Sequence, residues 1–220
     1  VLINQTTTPG TPVFAAPVTF GTGPIPYAVT VADFNADGRL DIAVANVGCL
    51  EVSILLGDGA GNFTGPTNMP TNLAPASLVV ADFNRDGRPD IATANIGSND
   101  VSVLLNSGGG NFATNVDYPV GNYPVAMSAG DFDGDGIVDL LVANNSSGGF
   151  TVLRGAGDGT FTAQKEMPLA SGIAGVVVGD LNGDGKPDFV ISDGNNDRVI
   201  VVLNTTAGGG AHTIFFSGVP

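Results

Sequence analysis

The chain reads as an all-β protein built of β-propeller blades. Three observations predict this: a motif that returns at a fixed interval, strand-sized apolar runs separated by turn residues, and a shortage of helix formers. The motif begins at Asp33, Asp82, Asp131 and Asp180, a period of 49 residues each time with no insertion or deletion. A fixed period of this size marks one supersecondary unit copied along the chain. Val, Thr, Ile and Phe are plentiful while Glu, Lys and Gln are scarce, which favours strands over helices. The 33 Gly and 14 Pro among 220 residues require many turns.

Each unit reads as four short antiparallel strands, at residues 28–34, 41–47, 50–56 and 63–69 in the first copy, separated by Gly, Asn and Asp clusters. The second strand is Asp-Ile-Ala-Val-Ala-Asn in the first copy and recurs at 90–95, 139–144 and 188–193. It is small and apolar on both alternations, so both its faces need cover. Blades stacked face to face around an axis supply that cover, whereas a sandwich leaves one polar face on each strand. Four strands in 40–50 residues is the propeller spacing. The complete blades are expected at about 25–72, 73–121, 122–170 and 171–220. Residues 1–24 hold a spare half-blade, because 1–4 and 13–20 match the third and fourth strands of a unit, as 201–204 and 212–216 do at the other end. Propellers close with about four to eight blades. An incomplete ring exposes strand edges and apolar faces, so the chain is expected either to self-associate or to be the remainder of a longer propeller.

A net charge of −14, with only seven Lys plus Arg, argues against a nucleic-acid partner, since a polyanion needs a basic footprint. No apolar run reaches the length of a membrane span. Residue 1 starts within a strand-like Val-Leu-Ile-Asn, so any export signal is expected to have been removed or to lie outside this sequence. Cys49 stands alone, which rules out an intrachain disulfide and leaves it as a small core residue.

The repeated loop carries the chemistry. Positions 1, 3, 5 and 9 are Asp33, Asn35, Asp37 and Asp41 in the first copy, then Asp82, Asn84, Asp86 and Asp90. The third copy has Asp131, Asp133, Asp135 and Asp139, and the fourth Asp180, Asn182, Asp184 and Asp188. Oxygen ligands at these spacings, with Gly at position 6 and a backbone carbonyl at position 7, can converge on one hard cation such as Ca²⁺. Position 12 is Val44, Thr93, Val142 or Ile191, so no bidentate Glu is available and the ninth-position Asp must close the cage. The four loops hold thirteen of the 21 acidic residues, and two unit charges about 4 Å apart repel by about 4 kcal/mol at an effective dielectric of 20. An Asx-rich turn would explain one such loop. Four copies with Asp or Asn at every ligand position point to about four Ca²⁺ ions. The third loop alone carries four carboxylates and is expected to bind most tightly.

These loops, with the Gly-Asn-Phe and Gly-Thr-Phe steps at 61–63, 110–112 and 159–161, resemble the FG-GAP and VCBS repeats. Such repeats occur in integrin α-type propellers, in lectin-type propellers and in many secreted bacterial proteins. The resemblance covers nearly the whole chain. It implies Ca²⁺ between the first and second strands of each blade, with the backbone of Arg39, Arg88, Ile137 and Lys186 matching the seventh ligand position. Rings of the family usually have seven blades, and this chain supplies about four and a half.

Catalytic candidates are poor. His212 is the only His, which excludes a multi-His metal centre. The Gly runs at 108–110 and 208–210 lack the following Lys-Ser/Thr of a phosphate cradle. Asn46, Asn95, Asn144 and Asp193 recur five residues after each ninth-position Asp and read as blade packing, while Asn4, Asn62 and Asn204 are glycosylation acceptors only in a source that glycosylates. The chain is therefore expected to be a non-enzymatic, calcium-binding, secreted or cell-surface module that binds a glycan or a protein, lectin-like or adhesive. A scaffold propeller of a larger secreted enzyme and a structural spacer or assembly unit are the alternatives.

Overall fold

Alternating apolar residues on both faces of each second strand set the architecture, because each such strand is buried within a stack of sheets. The computed structural model describes residues 1–7, 10–163, 166–169, 172–206 and 216–217. Among these there is no helix, and the strands form successive antiparallel sheets. The first sheet runs β1 (Pro26–Ala32), β2 (Asp41–Asn46), β3 (Glu51–Gly57), β4 (Phe63–Pro70), in that order. The second contains β5 (Pro75–Ala81), β6 (Asp90–Asn95) and β7 (Asp100–Leu104). Its fourth strand is interrupted: β8 (Asn106–Gly108) and β9 (Asn111–Phe112) form their own hairpin, and β10 (Val116–Pro119) returns to pair with β7. Gly108, Gly109 and Gly110 all take positive φ in that hairpin, a turn that side-chain-bearing residues resist.

The third sheet holds β11 (Pro124–Gly130), β12 (Asp139–Asn144), β13 (Gly149–Gly155), β14 (Phe161–Ala163) and β15 (Met167–Pro168), the last two both pairing with β13. The fourth runs β16 (Ile173–Gly179), β17 (Asp188–Asp193), β18 (Arg198–Asn204), β19 (Phe216–Ser217). Each first strand carries a register shift near its start, as between Pro26 and Ala28 or Pro124 and Ala126. That irregularity repeats with the unit, as a built-in bulge does.

First strands pack side by side, β1 on β5, β5 on β11 and β11 on β16, so the sheets fan out from a common line in a propeller-like arrangement. The core lies in the layers between successive sheets. Phe34, Val52 and Ile54 of the first unit meet Ile91 and Leu104 of the second. Ala92, Ala94 and Val103 face the other way, onto Leu140, Val142 and Leu153, while Leu141, Ala143 and Phe150 meet Ile173, Phe189 and Val202. Neighbours within β6 and β12 thus point into different layers.

Ahead of β1, Asn4 bridges Phe14, and the Gln5 amide donates to the Val13 carbonyl at 2.7 Å. Ile3 sits against Gly61 as Leu56 sits against Gly110 and Leu105 against Gly159. Cys49 is free and partly buried. His212 and the 208–210 run lie outside the described residues.

Candidate metal centre

Each loop is shaped by short-range hydrogen bonds that its spacing dictates. The first-position carboxylate accepts the amide of position 5 through Oδ1 and that of the position-6 glycine through Oδ2, at 3.1 and 2.7 Å for Asp33 with Asp37 and Gly38. The pattern repeats for Asp82, Asp131 and Asp180. The position-3 side-chain oxygen also accepts the position-5 amide, and the position-5 carboxylate accepts the position-7 amide, as Asp37 does from Arg39 at 2.9 Å. Gly38, Gly87, Gly136 and Gly185 hold φ near +80°, where a Cβ is penalised. Position 4 is left-handed too, filled by Gly134 and Gly183 but also by Ala36 and Arg85.

The ninth-position Asp is fully buried in all four loops. One oxygen accepts the position-2 amide, and the other accepts the amide of the residue sixteen positions on, at the end of the third strand or just past it. Asp41 does so with Phe34 and Gly57 (both 2.8 Å), and Asp90 with Phe83 and Asn106 (2.9 and 2.7 Å). Asp139 binds Phe132 and Gly155 (2.9 and 2.8 Å), and Asp188 binds Leu181 and Asn204 (3.0 and 2.7 Å). Burial pushes the Asp139 carboxyl up to about 7, with the charges of Asp133 and Asp135 adding to the rise against its two amide donors. Burial likewise raises Asp90, whereas the Gly185 amide leads a group of backbone donors that lowers Asp180.

Whether the loops fit a calcium ion can be judged from the donors. Two oxygens that share one Ca²⁺ at 2.3–2.6 Å lie at most about 5 Å apart. In the third loop, oxygens of Asp131, Asp133 and Asp139 lie within 4.8 Å of one another. An all-oxygen donor set at that spacing fits Ca²⁺. Asp135 is not part of the cluster: its Oδ2 pairs with Arg154 Nη2 at 2.7 Å. In the first, second and fourth loops the matching oxygens of Asp37, Asp86 and Asp184 accept the amide nitrogens of Asn35, Asn84 and Asn182, at 3.1, 2.8 and 3.3 Å. The side chains of Arg39, Arg88 and Lys186 ion-pair with those same three carboxylates.

Sequence reasoning missed Arg154, whose Nε also pairs with Asp133. The repeat held the signal, since the equivalent residues are Leu56, Leu105 and Leu203. It missed the links between units as well. Arg85 Nη2 donates to the Gly136 carbonyl at 2.6 Å, Asn106 Nδ2 to the Phe34 carbonyl at 2.9 Å and Asn204 Nδ2 to the Phe132 carbonyl at 2.8 Å. Position-2 aromatics pack edge-on against the fourth-strand aromatics of the next unit, Phe34 on Phe112 and Phe83 on Phe161. A cleft of about 440 Å³ opens between the third and fourth loops, lined by Asp131, Asp133, Asp180, Lys186, Asn204 and Thr206 among others.

At the opposite end of the units lies a second repeated cluster. Asn46 Nδ2 donates to Ser53, Asn95 to Asp100 and Ser102, and Asn144 to Thr151 and Glu166, while Asp193 accepts from Asn196 and Arg198. These residues tie hairpins together within the units.

No curated protein matches the chain in sequence. Solved structures similar to it include an Agrocybe aegerita lectin described for specific recognition of non-reducing terminal N-acetylglucosamine (24% identity, TM-score 0.55, covering 84% of this chain and 50% of that one). Another is the V. cholerae biofilm matrix protein Bap1 (22% identity, TM-score 0.52, 80% and 26%). A third is BBS1N in complex with ARL6DN (16% identity, TM-score 0.57, 88% and 57%). The chain therefore spans about half the length of the lectin, and at these identities the likeness concerns the fold. The FG-GAP-like repeat matches residues 33–93, 82–142 and 131–191, a stretch that contains all four acidic loops, and the chain belongs to the FG-GAP-like repeat family.

Proposed function

We propose that this chain is a calcium-binding, non-catalytic propeller module that works outside the cell by recognising a glycan or a protein. The convergence of Asp131, Asp133 and Asp139 oxygens within a loop built four times over carries the reading. In this reading Asp33, Asn35, Asp37 and Asp41, with the Arg39 carbonyl, hold one ion, and the equivalent groups in the other three loops hold theirs. Ca²⁺ would neutralise the clustered carboxylates and hold each loop rigid. The cleft between the third and fourth loops supports recognition of a polar ligand there, since acidic, cationic and amide groups all face it. Likeness in fold to a lectin and to a biofilm matrix protein supports the same class.

The units are read as four blades at about 25–72, 73–121, 122–170 and 171–220. Residues 1–24 are read as a half-blade, supported by Ile3 against Gly61 and by Phe20 edge-on to Phe63 at 5.3 Å. A second reading, as an assembly unit or part of a longer ring, is favoured by the outer side of the fourth unit. Leu181 is 50% exposed there, whereas Phe34, Phe83 and Phe132 at the same loop position are 1% exposed.

Melting curves in chelator and in millimolar Ca²⁺, followed by a glycan array with the calcium-loaded protein, test the proposal. A ligand held only by the folded loops stabilises by mass action, so the calcium curve should lie higher. Identical curves would overturn the calcium reading, and a blank array would shift the choice towards a protein ligand or an assembly role.

A further inference from the structure

The third loop departs from its siblings at three positions at once. At position 3 it has Asp133 in place of Asn, so the amide that elsewhere donates to the position-5 carboxylate is missing. At position 7 it has Ile137 in place of Arg or Lys, so the cation that elsewhere pairs with that carboxylate is missing too. In the third unit alone, the residue just before the amide that the ninth-position Asp accepts is Arg154, where the siblings have Leu56, Leu105 and Leu203. The Arg154 guanidinium supplies both the donor and the cation to Asp135 through Nη2 at 2.7 Å, and its Nε adds a pair with Asp133, where the siblings have an uncharged Asn. Asp133 is 2% exposed at its side chain and Arg154 24%, so the pair is shielded from water on the carboxylate side. Charge-assisted bonds in such a setting exceed those of an exposed surface pair.

We infer that Arg154 is a tethered counter-cation of the third loop, holding it folded without metal and competing with Ca²⁺ for the carboxylates of Asp133 and Asp135. The competition half rests on the calcium reading above; the pairing half does not. The fourth carboxylate of this loop therefore does not make it the tightest site, because the guanidinium occupies Asp133, one of the three clustered ligand carboxylates, whereas the sibling cations pair only with the position-5 carboxylate. Ca²⁺ entering this loop has to displace the guanidinium or bind beside it, and both lower its affinity.

The test compares the full chain with Arg154→Leu, which restores the sibling residue, and with Arg154→Leu/Asp133→Asn, which also restores the position-3 amide while leaving Ile137 in place. In chelator, Arg154→Leu should melt about 2–6 °C lower, and the added Asp133→Asn should recover most of the loss by returning the amide donor to Asp135. In millimolar Ca²⁺, Arg154→Leu should gain more in melting temperature than the unaltered chain, and calorimetry should show one site tightened by about five- to tenfold. Equal melting of the single variant and the unaltered chain in chelator would overturn the pairing. So would a loss that Asp133→Asn fails to recover, since that would be lost packing. Equal calcium gains for both proteins would overturn the competition. If calcium raises neither, the calcium reading and the competition fail together, and the chelator comparison still decides the pairing.

Discussion

Asp139 Oδ1 accepts the amide of Gly155 at 2.8 Å, sixteen residues further along the chain and on the far side of a hairpin. Its other oxygen holds the amide of Phe132 at 2.9 Å. The same two bonds recur at Asp41, Asp90 and Asp188. The ninth-position Asp is thus a buried staple between the start of its loop and the end of the third strand, as well as a metal-ligand candidate.

Removing such a staple leaves two buried amides without acceptors. Asp41→Ala is expected to destabilise the protein by about 3–5 kcal/mol, even in chelator. Asp41→Asn keeps one acceptor and should cost about half as much. Chemical denaturation in chelator measures both, and a cost for the alanine variant that appears only with Ca²⁺ would mean that Asp41 acts solely as a ligand.

The Asp139 carboxyl supplies a pH dependence. Its pKa in the fold is raised from 3.8 to about 7, first by burial. A group raised on folding contributes stability that is complete below the unfolded value and lost as pH climbs through the folded one. Stability in chelator should therefore fall between about pH 4 and 7, by roughly 4 kcal/mol at most for this group. Calcium affinity should rise over the same window, since the ion needs the ionised form. Asp139→Asn should remove that part of the slope, and a slope unchanged by the substitution would assign the titration elsewhere.

Asn46 and Asn144 are buried with their Oδ1 atoms unpartnered, whereas Asn95 Oδ1 accepts the Thr93 hydroxyl at 3.1 Å. The residue two positions earlier is Val44 and Val142 in the two orphaned cases. Val142→Thr is expected to supply the missing donor and to cost little or nothing, against the usual penalty for a buried hydroxyl. Thr93→Val should create a third orphan and cost about 1–3 kcal/mol. Equal losses in the two variants would show that the donor is irrelevant.

Apolar side chains stand exposed along the first and fourth units, among them Val29, Val177, Leu181 and Val199. Exposed apolar faces on unpaired sheets drive association, so light scattering on the isolated chain is expected to find more than a monomer. Single-chain mass at high concentration would count against self-association.

Much of this was legible before any coordinates. The second strands Asp41–Asn46, Asp90–Asn95 and Asp139–Asn144 fall where their two-sided apolar pattern put them, within a residue or two at each end. The break in the fourth strand of the second unit, between Phe112 and Val116, was not legible, because where a strand leaves its partner depends on what it packs against. The Gly run 108–110 is the turn of the β8–β9 hairpin, a loop between strands as its composition implies. The repeat of 49 residues, the strand order within each unit and the loop conformation were determined by the sequence itself. Each rests on contacts between residues two to five apart, or on a side-chain alternation that any pairing partner must respect. The tertiary structure alone decided that Asp41 and its equivalents staple the loop to the third strand. It alone brought Arg154 to Asp133, twenty-one residues away, and Arg85 to the next loop fifty-one residues on. Those contacts cross hairpins and units, where separation along the chain says nothing about distance and only the packing of one sheet on the next brings the charges together.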